Sequence, residues 1–600
     1  MTDYRPPLTD VRFVLDEIVG LSDVLGFDAY SSLDSATVHE AIGEAGRFFA
    51  EVVAPLNRVG DQQGVKRRDD GSVQVPDGWT EAYQQLVASG WNAAPFDPAY
   101  GGGGLPEVVG IVLQEFINSA SMAFALCPML TLGAIHALIE HGTEEMRETY
   151  LAKLLTGEWA GTMNLTEPQA GSDVGALRAR AERQSDGTYR LFGTKIFITY
   201  GEHDMTDNII HFVLARTPGA PPGTKGISCF IVPKFLVNDD GSLGARNDVS
   251  CASLEHKMGI HASPTCVMNY GDHEGAVAYL IGEENAGMRY MFTMMNSARL
   301  GVGLEGLGIA ERAYQLAAGY ALERKQGRAA GAPAGESSSI VEHPDVRRML
   351  MTMRAQIEAV RALCYLNAIS LDRAAHHPDP SERERSDELA SLLTPLSKAW
   401  GTDVGTDVAS LGIQVFGGMG FIEETGAAQH YRDARIAQIY EGTNGIQALD
   451  LVGRKLPMRG GGVVADLLKS MRATVGAIGD DLVDIRQNLA SAIDACEETS
   501  TWLLGRSASG DVNDVLGAAT PYLRLCGLTV GGWLLARGAV AASALKGSGR
   551  YDDAFLDAKI ITARFFAQNL LPHVHGLVGP ITAGASSLMS LPSEGFVKFG

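Results

Sequence analysis

Along residues 1–158, apolar positions recur at helical spacing, first in Val38-Ala41-Ile42-Ala45-Phe48 and later in Val109-Ile111-Val112-Phe116. Tyr100-Gly-Gly-Gly-Gly-Leu-Pro106 predicts a loop between such helices. The pattern changes over 159–285. Short β-rich runs (Tyr189-Arg-Leu-Phe192, Ile209-Ile-His-Phe-Val-Leu214, Gly226-Ile-Ser-Cys-Phe-Ile-Val-Pro233) alternate with Gly, Pro and Asp turns, which predicts a small, barrel-like β-domain. Residues 286–457 return to helical spacing, Arg459-Gly-Gly-Gly462 is expected to be a linker, and 463–600 opens a further helical segment on the stripe Val464-Leu467-Leu468-Met471. The expected class is α+β: helical domain, β-domain, helical bundle, then an extra helical domain.

Composition narrows the function. A 600-residue chain is expected to form several packed domains. A net charge of −22 argues against unspecific binding to nucleic acid or an anionic membrane, although a local arginine can still bind phosphate. The 7 cysteines include no C-x-x-C pair, so buried thiols in a reducing cytoplasm are expected. The apolar stretches near 111–139 and 514–545 are interrupted by Gln114, Glu115, Asn118, Arg524 and Arg537, and neither is expected to span a membrane. No signal-peptide pattern opens the chain.

Chemistry concentrates in two places. In Gln438-Ile-Tyr-Glu-Gly-Thr-Asn-Gly-Ile-Gln447, one carboxylate, Glu441, sits between an aromatic and a glycine just before a helical pattern. Glycine lets a ligand approach the backbone, and desolvation would make that carboxylate a usable base. Gln414-Val-Phe-Gly-Gly-Met-Gly-Phe421 and Tyr431-Arg-Asp-Ala-Arg435 precede it closely. The second place is Met163-Asn-Leu-Thr-Glu-Pro-Gln-Ala-Gly-Ser-Asp-Val174, followed by Lys195-Ile-Phe-Ile-Thr-Tyr-Gly201; it offers the hydroxyls of Thr166 and Ser172, the open backbone of Gly171 and the flat face of Phe197 beside Thr199. Gly301-Val-Gly-Leu-Glu-Gly306 fits G-x-G-x-x-G, but the Met-rich run before it is no strand. A dinucleotide fold is rejected there, and the glycines are expected to serve close helix packing.

Together the two blocks, in this order, resemble the signatures of the acyl-CoA dehydrogenase family, over roughly residues 40–457. The resemblance implies an FAD enzyme converting an acyl-CoA to a trans-2-enoyl-CoA, with Glu441 as the base and an electron-transfer flavoprotein as acceptor. It implies FAD contacts at Met163, Leu165, Thr166, Gly171, Ser172, Phe197, Ile198, Thr199, His343, Gln414, Gly417, Gly418 and Thr443, and at Arg324 across a subunit interface. Acyl-CoA contacts are implied at Ser172, Asn296, Arg299 and Gly442. Ala298 cannot serve as a base on its helix, which favours Glu441. Pro344 and the inserted 329–339 loop depart from the family pattern, as does Gly445. The extension resembles that of the large members, for which a short or medium acyl chain, including thioether-bearing ones, and a homodimer are expected. The rival readings are an acyl-CoA oxidase and a non-enzymatic, nucleic-acid-associated relative. Against the latter, 463–600 carries 11 Lys/Arg and 13 Asp/Glu, with no basic stripe.

Overall fold

The structure, a computed structural model, describes residues 4–597. The chain forms two compact units, Met1–Pro6 with Glu40–Gly301 and Pro7–His39 with Val302–Gly600.

The first unit is built on helix α1 (Glu107–His141) and an eight-stranded sheet. Apolar residues surround α1 on all sides, and it is buried along nearly its whole length. Ser121 breaks it with an extended φ/ψ of −161°/105°, and Pro128 removes a backbone donor further on. Seven residues before the α1 terminus proper, Ala134 leaves no space for a side chain at Gly161, whose added Cβ would lie 2.5 Å from the Ala134 Cβ. The Thr131 hydroxyl donates to the Cys127 carbonyl and accepts the Gly161 N–H, which ties α1 to the first strand.

The strands are β1 (Trp159–Asn164), β2 (Arg180–Arg183), β3 (Tyr189–Thr199), β4 (Asn208–Ala215), β5 (Ser228–Pro233), β6 (Val249–Leu254), β7 (Thr265–Tyr270) and β8 (Ala276–Leu280). Their ladder runs β6-β7-β3-β8-β5-β4-β1, with β2 also on β3. Within this ladder β1 and β4 pair in parallel, from Trp159 opposite Asn208 to Asn164 opposite Val213. Both are buried throughout, as a parallel pair covered on two faces requires.

Helix α2 (Gly287–Glu323) contains the boundary between the units. In the second unit its remainder packs with α3 (Pro344–His376) and α4 (Pro380–Phe416), and the short α5 (Asn444–Asp450) follows. As expected, the glycines of the Gly301–Gly306 run serve packing. A Cβ at Gly303 would lie 2.6 Å from the Ser397 carbonyl oxygen, and one at Gly306 2.4 Å from that of Gly401. Two helices thus meet at backbone distance.

The extension comprises α6 (Gly462–Ala477), α7 (Val483–Ser509), α8 (Val512–Leu545), α9 (Asp553–Asn569) and α10 (His573–Thr582). It covers the bundle of its own chain: the Trp400 ring of α4 fills the space over Gly527 and Gly531 of α8. The N-terminal Pro7–His39 also belongs here, where Phe13 meets Tyr551 and Phe555 edge-on at 5.5 and 5.6 Å. The expected linker is an ordered turn. Arg459, Gly460 and Gly461 have positive φ, and Arg459 pairs with Glu388 and Asp466. Among the described residues two helices, α1 and α8, are long and apolar enough to cross a membrane, yet 83% of each apolar window is buried inside the protein.

Candidate functional site

Glu441 stands in the second unit with its backbone in the left-handed region, at φ 56°, followed by Gly442 at φ 83°. A non-glycine residue held there stores strain of order 1–3 kcal/mol, which persists only when its surroundings impose it. They do so through α4. The buried Lys398 ammonium donates to the Gly442 carbonyl and to Asn444 Oδ1, both at 2.9 Å. Asn444 in turn donates to the Ala399 carbonyl, the Thr402 hydroxyl and Asp403. Gln438, on the other side of Glu441, donates to the same Asp403 carboxylate at 2.7 Å. Burial pushes Asp403 above the usual carboxylate range, and its two amide donors pull the other way. Gln447, fully buried, donates to the Glu441 carbonyl at 3.3 Å.

Thr443 caps α5, its hydroxyl accepting the Ile446 N–H at 3.2 Å. Beside Glu441, the Tyr440 hydroxyl donates to Glu305 at 2.5 Å. Burial drives Glu305 up to about 8; Glu441 adds to the rise, while Tyr440 and Lys398 oppose it. Sequence reasoning missed Lys398, Asp403, Asn444 and Glu305. The available signal was a lone charge in an apolar helical run, as in Leu396-Ser-Lys-Ala-Trp400 and Gly303-Leu-Glu-Gly306.

A second group occupies one end of the same unit. Tyr320 stacks on Phe416 at 4.0 Å, bringing the C-terminal end of α2 to that of α4. Arg324, Gln414, Gly417 and Gly418 are all exposed there, and a Cβ at either glycine would meet nothing within 4 Å. His343 is turned to another task, since its Nε2 lies 2.8 Å from the Gln326 carbonyl and closes the loop between them. The inserted loop is anchored at its base by the Gln326–Ser338 and Ser338–Gly327 backbone bonds.

In the first unit, Met163 is buried in β1, Leu165 and Thr166 are half-buried, and Gly171 and Ser172 are exposed. This loop is held from below. Lys195, fully buried, donates to the Leu165 carbonyl at 3.0 Å and to Glu167 at 2.8 Å. Glu167 also accepts the N–H groups of Arg178 and Ala179. Burial pulls Lys195 down to about 8 against the pull of Glu167. On β3, Phe197 has φ 60° and is 58% exposed, while Ile198 is buried and Thr199 half-buried. An exposed aromatic held in a strained conformation beside two hydroxyl-bearing segments fits a flat, polar-edged ring system such as a flavin. Asn296 is exposed on α2, and Arg299 is 4% exposed with its guanidinium 6.0 Å from the Phe292 ring centre. A small cavity of about 40 Å³ in this unit is lined by Asn92, Leu113, Gln114, Ile117, Asn118 and Met129, among others.

Known proteins resemble the chain over its full length. It matches the descriptions "Acyl-CoA dehydrogenase, N-terminal domain" over 36–158, "middle domain" over 162–272 and "C-terminal domain" over 285–456, then "Acetyl-CoA dehydrogenase C-terminal like" over 467–592. It is 46% identical over 590 residues to 3-methylmercaptopropionyl-CoA dehydrogenase of Ruegeria pomeroyi, covering 98% of this chain and 99% of that protein. The structure of an acyl-CoA dehydrogenase complexed with FAD from Bacillus anthracis superimposes with a TM-score of 0.73 at 22% identity, over 95% of this chain and 91% of that one. A structure described as the electron transferring flavoprotein of Acidaminococcus fermentans matches with a TM-score of 0.57 at 26% identity, over 70% and 97% of the two chains. Two spaced signatures, four consecutive domain matches and near-complete coverage at 46% identity converge: the chain belongs to the acyl-CoA dehydrogenase family, whose cofactor is FAD.

Proposed function

We propose that this chain oxidises a short or medium, thioether-bearing acyl-CoA of the 3-methylthiopropionyl type to the trans-2-enoyl-CoA, with Glu441 as the base. The observation that carries this reading is the left-handed Glu441, imposed by the Lys398–Asn444–Asp403 network. A thioester α-hydrogen is a weak acid, so its removal needs a base fixed within hydrogen-bonding reach and a donor for the enolate oxygen. Glu441 takes the α-proton and its own backbone N–H faces the carbonyl; FAD, when bound, supplies the acceptor for the β-hydride. Met163, Leu165, Thr166, Gly171, Ser172, Phe197, Ile198 and Thr199 would hold the flavin, and Arg299 and Asn296 the polar portion of CoA. The 46% identity to the 3-methylmercaptopropionyl-CoA dehydrogenase of Ruegeria pomeroyi supports a thioether in the acyl tail.

The exposed Arg324, Gln414, Gly417 and Gly418 support a homodimer in which one protomer completes the FAD site of the other. The likeness to the Acidaminococcus protein supports an electron-transfer flavoprotein as acceptor, and seven buried free cysteines support the cytoplasm. Anaerobic flavin bleaching with a series of acyl-CoAs tests the reading. 3-Methylthiopropionyl-CoA should give a higher kcat/KM than butyryl- or octanoyl-CoA, and equal values would refute the thioether preference. Stoichiometric hydrogen peroxide under air would move the enzyme to the oxidases. Glu441→Gln should slow bleaching by roughly three orders of magnitude or more while acyl-CoA still binds.

A further inference from the structure

Packing explains the glycines of the Gly301–Gly306 run but leaves its acid unexplained. Glu305 is fully buried on α2, and one of its oxygens accepts the Tyr440 hydroxyl at 2.5 Å. Its other oxygen, Oε1, is also buried and meets no protein hydrogen-bond donor among the described residues. Tyr440 is the residue immediately before the left-handed Glu441. We propose that Glu305 is a positioning residue for the dehydrogenation: it clamps Tyr440 to hold Glu441 against the α-proton, and as a neutral acid it leaves the negative charge to Glu441. The proposal rests on Glu441 being the base.

The geometry supports both halves. Without the clamp, the Tyr440 hydroxyl would lose its Glu305 acceptor and the strained backbone after it would lose one of its restraints. Neutrality is favoured by the burial of Oε1 away from any protein donor among the described residues, because a buried carboxylate oxygen without a donor costs far more than the acid. Three groups face Glu305 from the elements packed on it: Tyr440, Glu441 and, from α4, Lys398. Lys398 is already engaged by Gly442 and Asn444. Burial and Glu441 therefore win, and the acid titrates near 8. Above that pH, Glu305 gains a second negative charge beside Glu441, which opposes the charge that develops on the substrate enolate. No proton passes to Glu305 in the reaction; the α-proton ends on Glu441.

The test is single-turnover flavin reduction of the FAD-loaded enzyme across pH, together with infrared difference spectra of wild type against Glu305→Gln. Glu305→Ala should slow reduction at pH 7 by about tenfold to a hundredfold with acyl-CoA affinity little changed. Glu305→Gln keeps an acceptor for Tyr440, so the rate should recover to within about threefold of wild type. It should also lose the alkaline fall in rate that wild type shows near pH 8. The infrared difference should contain a protonated-carboxyl stretch at pH 7 that disappears as pH rises through about 8. A wild-type rate in Glu305→Ala would overturn the proposal, as would an alkaline fall that survives in Glu305→Gln or the absence of that band. Glu441→Gln run alongside separates the two readings. Fast reduction in Glu441→Gln sinks the base itself, whereas slow reduction there with any of those three results sinks only the role of Glu305.

Discussion

A single ammonium organises the loop around Glu441. Lys398 holds the Gly442 carbonyl and the Asn444 side chain, and both acceptors would lose that partner in Lys398→Met. Leaving a buried acceptor unmet costs about 1–3 kcal/mol, and here the cost falls where the backbone is strained. Lys398→Met should therefore reduce flavin far more slowly than it loses thermal stability, as stopped-flow and melting measurements on one preparation would reveal. In the other unit, Lys195→Met leaves Glu167 as a buried charge without its countercharge, a loss of about 3–5 kcal/mol. Because those two side chains support the 165–172 loop from beneath, FAD should be released before the chain unfolds. A variant that melts early yet keeps its yellow colour up to the transition would contradict this.

Between elements, the close approach of α2 and α4 is decided by glycine. Gly306→Ala places a methyl 2.4 Å from the Gly401 carbonyl oxygen, and neither backbone can yield without shifting its helix. Overpacking of this kind costs about 1–3 kcal/mol and should appear as a lower melting temperature. Gly319, on the same helix, is the control. It is exposed with nothing within 4 Å of an added Cβ, so Gly319→Ala should stabilise by about 0.5–1 kcal/mol through helix propensity alone. If both substitutions have the same effect, the packing account of this glycine run is wrong.

Over the whole chain, a buried ion network joins segments far apart in sequence. Arg361 pairs with Asp10 and with Glu311, and Lys559 of the extension pairs with Asp10 and Glu358. Burial alone would raise Asp10, but the charges of Lys559 and Arg361 outweigh it and hold the carboxyl down at about 2. A depressed carboxyl contributes stability that is complete above its unfolded value of 3.8 and is lost as pH falls from there towards 2. Acid unfolding of wild type should therefore steepen below pH 4, and Asp10→Asn should remove much of that steepness while lowering stability at pH 7. For the same reason the extension is not detachable. Ending the chain at residue 462 uncovers Trp400 and removes Lys559, so the shortened protein should aggregate when expressed.

Helical stripes, β-rich runs and two long signatures made the order of elements and the family legible from the residues alone, and they singled out Glu441 as the candidate base, because period and local motif are properties of neighbours in sequence. Gly301–Gly306 could be recognised as a packing run because no strand precedes it. The acid inside it could not be recognised as part of the site, since its partner Tyr440 lies 135 positions away. Lys398, Asp403 and Asn444 stayed hidden for the same reason. So did the ordered turn at Arg459, where the sequence predicts only a linker and the fold pairs the arginine with Glu388 and Asp466. Local sequence determined which residue types stand next to Glu441. Only the folded chain decided which buried charges surround it, because desolvation and ion pairing depend on distances that sequence spacing does not carry.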